Sequence, residues 1–193
     1  MIYYIVYFLT KVVSWFYFPF TAFQTQKIPR QGAFILASNH ISNLDPVLLG
    51  ISSVRRLNFM AKIELFKGVL GFILTRLGSF PVKRGEADFG AMREALKRLK
   101  MGRVILIFVE GTRRIGNAPL PKAQAGAGFL AMKSGVPIVP VYVKGTDKVM
   151  APGTKFLKRG RVFAIFGEPF YVKDAPSYEE ASQRILDKIY ALA

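Results

Sequence analysis

From Pro29 onward, short β-branched and aliphatic runs alternate with helical stretches, and no other feature constrains the fold as tightly. AFILAS (33–38), LNFMA (57–61), RVILIFV (103–109), PIVPVYV (137–143) and RVFAIF (161–166) each read as a buried strand. Between them, DFGAMREALKRLKMG places Phe89, Met92, Leu96 and Leu99 on one helical face, pairs Glu94 with Arg98 and stops at Gly102. KAQAGAGFLAMKSG (122–135) is a second helix, in which Gly126 and Gly128 invite close packing against a sheet. Ser177 and Glu180 form a capping box ahead of the stripe Tyr178, Ala181, Ile185 and Ile189. Over 193 residues, with no internal repeat and no linker, this pattern predicts an α/β single domain: a mostly parallel sheet flanked by helices.

The first twenty residues, MIYYIVYFLTKVVSWFYFPF, break the pattern: they are nearly all apolar, with Lys11 the one charge. Neither the basic start nor the small-residue cleavage site of a secretory leader is present, so the segment is expected to stay on the protein. Ten Ile, Val, Leu and Phe side chains at about −0.3 to −0.6 kcal/mol each oppose a central Lys at about +2.5 to +3.5. That sum, roughly +0.5 to −3.5 kcal/mol, leaves a span and a one-leaflet anchor both open. Tyr3, Tyr4, Tyr7, Trp15 and Tyr17 suit the interface, and Lys11 can reach the headgroups. The bland alternative is a buried core helix. Residues 1–26 are therefore expected to be a membrane-associating helical segment, with the α/β domain over 27–193.

Charge points the same way. Twenty-eight Lys and Arg against 12 Asp and Glu give +16, in a chain that is 51% apolar. Greasy and basic together suit an anionic membrane surface. Nucleic acid also attracts such charge, but no recognisable binding motif accompanies cations scattered from Lys11 to Lys188, so no nucleic-acid partner is expected. The absence of cysteine excludes disulfides, thiolate metal sites and a cysteine nucleophile.

In α/β folds ligands sit beyond the carboxyl ends of strands, so chemistry is to be sought there. SNHISNLDP (38–46) carries the only histidine, His40, with Asp45 following after four intervening residues. A carboxylate on one imidazole nitrogen fixes the tautomer and frees the other to take a proton from a hydroxyl. Asp followed by Pro is equally a helix start with Asp45 as N-cap, and the local sequence supports both. One histidine cannot build a metal site without several carboxylates, and no metal or other cofactor is expected. Lys83 and Arg84 follow a short strand in GSFPVKRGE, with Gly85 allowing close approach: a seat for a phosphate, or a solvated basic turn. FVEGTRR (108–114) follows the most apolar strand and offers Glu110, Gly111 and a bidentate donor in Arg113, or merely a surface ion pair. In VPIVPVYV, Pro137 and Pro140 should interrupt a ladder and mark an edge or bend.

NHISNLD, KIELF with GSFPVKRG, FVEGTRR and VPIVPV stand in the order of four blocks of the glycerolipid acyltransferase family, which this chain resembles from residue 39 to 141. The resemblance implies transfer of a fatty acyl group from acyl carrier protein or coenzyme A to the free hydroxyl of 1-acylglycerol-3-phosphate. The product it implies is phosphatidic acid, made at the cytoplasmic face of the cell membrane. It assigns His40 as general base and Asp45 as its orienting partner. It gives Lys83, Arg84, Glu110, Gly111, Thr112 and Arg113 to the acceptor, with Pro137 and Pro140 shaping the acyl region. Val109 stands where the family usually has proline and Arg114 where it often has serine, which opens the choice of acceptor to another lysolipid. A lipid hydrolase using Ser38 is the rival chemistry, but no Gly-x-Ser-x-Gly elbow surrounds Ser38.

Overall fold

The computed structural model describes residues 2–83, 88–114, 122–154 and 156–193. Its strands are β1 (Phe20–Phe23), β2 (Phe34–Ser38), β3 (Leu57–Lys62), β4 (Phe80–Val82), β5 (Val104–Phe108), β6 (Ile138–Lys144) and β7 (Val162–Phe166). Helices α1 (Ile2–Tyr17), α2 (Asp45–Ser52), α3 (Gly68–Arg76), α4 (Phe89–Lys100), α5 (Ala125–Ser134), α6 (Thr146–Val149) and α7 (Tyr178–Tyr190) separate or flank them. The sheet order is β1-β7-β6-β2-β5-β3-β4, parallel at every junction except β6–β7. The mostly parallel sheet of a single α/β domain is therefore present as expected, and each of the five runs contains a strand.

β2 lies at the centre and all five of its residues are buried. Its alternation divides the core: Ile35 and Ala37 pack with Ala95, Leu130 and Ile185 under α4, α5 and α7, while Phe34 and Leu36 pack with Leu49, Val139 and Phe166 on the other face. Each fully buried Ile, Leu or Phe contributes about 1.5–3 kcal/mol, so the core fixes the position of the strand that ends beside His40.

Four local expectations change. On α4, Leu99 is buried and Met92 and Leu96 pack against the core as expected, but Phe89 is 68% exposed and Ala91 and Ala95 are buried beside them, because small alanines let the helix approach the sheet closely. Gly128 packs against α7 rather than the sheet: a Cβ there would collide with the Tyr178 carbonyl, and Ser182 Oγ accepts from its N–H at 2.8 Å. Pro140 is not at an edge. β6 runs between β2 and β7, and Pro140 sits one residue before the first antiparallel pair, Val141 with Phe166, where its missing N–H interrupts no ladder. Residues 20–23, expected within the N-terminal segment, instead form the edge strand β1 beside β7.

α1 packs against α2 and α3. Its outer face leaves Tyr4, Phe8, Trp15 and Phe16 exposed, Trp15 by 76%. Among the described residues no helix is long and apolar enough to cross a membrane.

Candidate active site

The chain leaves β2 at Ser38, and Asn39 locks that end to β6: its side chain donates to the Val143 carbonyl at 2.9 Å and accepts from the Val143 N–H at 2.7 Å. His40 follows, 5% exposed, its ring stacked on Phe108 of β5 with centroids 3.9 Å apart and planes 17° from parallel. Packing on one side and a carboxylate on its edge hold the imidazole in one orientation.

That carboxylate is Asp45, fully buried. Oδ2 lies 2.8 Å from His40 Nδ1 and accepts from the backbone N–H groups of Ile41 and Ser42, each at 2.8 Å. Oδ1 accepts from the Thr146 hydroxyl at 2.6 Å. The Ile41 and Ser42 N–H groups hold Oδ2 as an acceptor, so the imidazole donates to it from Nδ1 and Nε2 carries the free lone pair. Nε2 makes no hydrogen bond among the described residues. The expectation that Asp45 caps α2 is not met. Leu44 occupies the N-cap, no side chain caps the helix, and Asp45 stands inside the first turn with its carboxylate turned back to the loop. The loop's own N–H groups and His40 outcompete the helix end for that carboxylate.

The segment after β5 is tied to the same loop, since the Arg114 N–H donates to the His40 carbonyl at 2.8 Å. Arg113 Nη1 donates to Asn43 Oδ1 at 2.8 Å, which brings its guanidinium to the His40–Asp45 loop. Thr112 is exposed. A Cβ at Gly111 would lie 2.7 Å from Gln124 Cγ, so the residue does keep this turn open. Glu110 behaves differently from the others. It is only 2% exposed, Oε1 accepts from the Tyr190 hydroxyl at 2.6 Å, and Oε2 has no partner among the described residues. Burial pushes the Glu110 carboxyl up, against the opposing pull of the Tyr190 bond, the His40 backbone and Arg114. Burial likewise pushes the Tyr190 phenol up, reinforced by Glu110 itself.

Lys83 is exposed at the end of β4, on the far edge of the sheet, its N–H held at 2.8 Å by Asp88, which also caps α4. Arg84 and Gly85 lie outside the described residues. Pro137 precedes β6 at the amino end of a strand parallel to β2, whereas His40 follows the carboxyl end. Some seven residues of strand at about 3.3 Å each separate the two ends, so the structure does not bring Pro137 to His40. Ser38, the nucleophile of the hydrolase reading, is fully buried and donates to the Asn39 carbonyl at 2.9 Å rather than to His40.

Thr146, Asn39, Phe108 and Tyr190 shape this site without having been picked out from the sequence. Thr146 stands two residues past the end of β6, and applying the strand-end rule to KGTD would have found it. Among the described residues no cluster of three or more metal-ligating side chains exists.

This geometry has counterparts. Residues 20–144 match the family model described as Acyltransferase. The chain is 29% identical over 154 residues to the 1-acyl-sn-glycerol-3-phosphate acyltransferase of Bacillus subtilis, covering 79% of this chain and 74% of that protein. It is 31% identical over 160 residues to a chloroplastic 1-acyl-sn-glycerol-3-phosphate acyltransferase of Brassica napus, covering 80% of this chain and 46% of that protein. The crystal structure of the 1-acyl-sn-glycerophosphate acyltransferase of Thermotoga maritima superposes with a TM-score of 0.84 at 28% identity, over 98% of this chain and 77% of that one.

Proposed function

The chain belongs to the acyltransferase family and is an O-acyltransferase; from that premise we propose that it acylates the free hydroxyl of 1-acylglycerol-3-phosphate from a thioester donor, acyl carrier protein or coenzyme A, giving phosphatidic acid. The observation that carries the reading is the His40–Asp45 pair with its saturated carboxylate and unengaged Nε2. The acceptor hydroxyl gives its proton to Nε2 as its oxygen forms a bond to the thioester carbonyl carbon. Asp45 holds the Nδ1 proton and stabilises the imidazolium. Collapse of the tetrahedral intermediate breaks the carbon–sulfur bond, and the imidazolium returns the proton to the departing thiolate. No acyl-enzyme is needed.

Arg113 and Lys83 serve the acceptor phosphate, Arg113 through a planar donor pair suited to two phosphate oxygens. The apolar groove between α1, α2 and β3, lined by Tyr7, Pro46, Val47, Ile51 and Phe59, suits a fatty chain. The exposed aromatics of α1 lie in the interface of the cytoplasmic leaflet, with Lys11, stacked over Tyr7, reaching the headgroups.

The test is turnover in mixed micelles with both donors and a panel of lyso-acceptors, products read by mass. His40→Ala should lose about 10³-fold or more; unchanged turnover sinks the assignment. Serine at Phe8, Trp15 and Phe16 together should release the protein from anionic vesicles, and cosedimentation equal to the parent removes the anchor reading.

A further inference from the structure

Two anionic substrates must meet at one imidazole. The sheet order puts His40 after the central strand β2, with β5, β3 and β4 on one flank and β6 and β7 on the other, and the segment after β5 crosses the His40 loop: Arg113 bonds Asn43, while Arg114 faces the β6–β7 side. On the β6–β7 flank lies a separate concavity of about 400 Å³. Asn39 and Ile41, the two neighbours of His40 in the chain, form part of its wall.

The cleft is lined by Arg114, Lys144, Lys148 and Arg161 against one carboxylate, Asp147. None of those four cations makes an ion pair with a carboxylate among the described residues. Gathering four like charges in a concavity is unfavourable until an anion enters, and the concavity focuses their field on it. Arg114 joins the wall with its Nε buried and without a partner among the described residues, while its backbone N–H is fixed to the His40 carbonyl at 2.8 Å. The frame is rigid. Asn39 bonds Val143 in both directions, and Gly145 lets β6 turn so tightly against β7 that a Cβ would collide with the Arg161 carbonyl. Tyr142 and Phe163 supply apolar wall between the cations.

We propose that this cleft binds the 4′-phosphate of the donor's phosphopantetheine arm, the anionic group that coenzyme A and acyl carrier protein share. The proposal rests on the acyl-transfer reading above. It gives the donor phosphate a seat separate from the cations assigned to the acceptor, with the thioester carbon and the acceptor hydroxyl both reaching Nε2. The uncharged pantetheine stretch then runs along Tyr142 and Phe163 toward the imidazole.

The test uses the full-length protein with Lys144→Gln, Lys148→Gln and Arg161→Gln combined, all exposed positions, with thermal unfolding as the folding control. Acyl-pantetheine, acyl-4′-phosphopantetheine, acyl-coenzyme A and acyl carrier protein serve as donors. The ratio of KM for acyl-4′-phosphopantetheine to KM for acyl-pantetheine should rise about tenfold or more, a change one lost charge-assisted contact accounts for. KM for the lysophosphatidate acceptor should stay put. An unchanged ratio, a rise confined to the acceptor, or a rise seen only with whole acyl carrier protein each overturns the proposal; the last means the cleft reads that carrier's acidic surface. Calorimetric binding of 4′-phosphopantetheine to His40→Ala protein, with and without the three substitutions, needs no turnover. Weakened binding there supports the cleft independently of whether His40 is the base, and equal binding refutes it.

Discussion

Asp45 and Glu110 are both buried carboxylates beside the His40 peptide, and their surroundings could hardly differ more. Asp45 accepts four hydrogen bonds, two of them from backbone N–H groups that no rotamer change can withdraw. Glu110 accepts one side-chain bond, from Tyr190, and its second oxygen has no partner among the described residues. Burial alone therefore does not set the role of a carboxylate. Four bonds hold Asp45 in place against the imidazole, whereas burial, which the Tyr190 bond opposes, pushes the Glu110 carboxyl up.

The largest break in that contrast is Asp45→Asn. One amide oxygen cannot accept from the imidazole and two backbone groups while its NH₂ confronts donors, so kcat should fall by about 10³–10⁴-fold; steady-state kinetics beside a circular dichroism control reads it. Thr146→Val comes next. It strips Oδ1 of its donor, costs about 1–3 kcal/mol in urea unfolding, and lowers kcat/KM by about tenfold, with Thr146→Ser restoring both. Tyr190→Phe removes the Tyr190 bond to Glu110 and should cost about 1 kcal/mol, pushing the Glu110 carboxyl further up. Glu110→Gln has the smallest effect at any one pH and is read in a pH series. A carboxyl whose folded value is raised contributes stability that is fully present below its unfolded value and is lost as pH rises through the folded one. The parent's thermal midpoint should therefore decline relative to Glu110→Gln from about pH 4 upward, and parallel curves would show that Glu110 titrates normally.

Much of this was legible in the chain because it is local. Five strands announce themselves as aliphatic runs, and the His40–Asp45 spacing marks a catalytic candidate in the sequence itself. β1 escaped because four residues inside a continuous apolar run have no period of their own. On α4 only Phe89 was misplaced, because bulk was weighed over fit: it is larger than Ala91 and Ala95, but the alanines allow close contact. Asp45 as a cap failed for another reason. Which donors a carboxylate takes depends on where the preceding loop turns its N–H groups, and Thr146, 101 positions away, completes the set. The burial of Glu110 likewise depends on Tyr190, 80 positions distant in the last helix. Local spacing carries no record of such partners.

The stacking of His40 on Phe108 also makes the site observable. The chain contains one histidine, so its imidazole protons give one unoverlapped set of magnetic resonance signals. With ring centroids 3.9 Å apart, those signals lie in the shielding cone of the phenyl ring. A donor entering on one flank, an acceptor on the other, or a slackened Asp45 moves that single reporter, so the arrangement that orients the base also broadcasts its state.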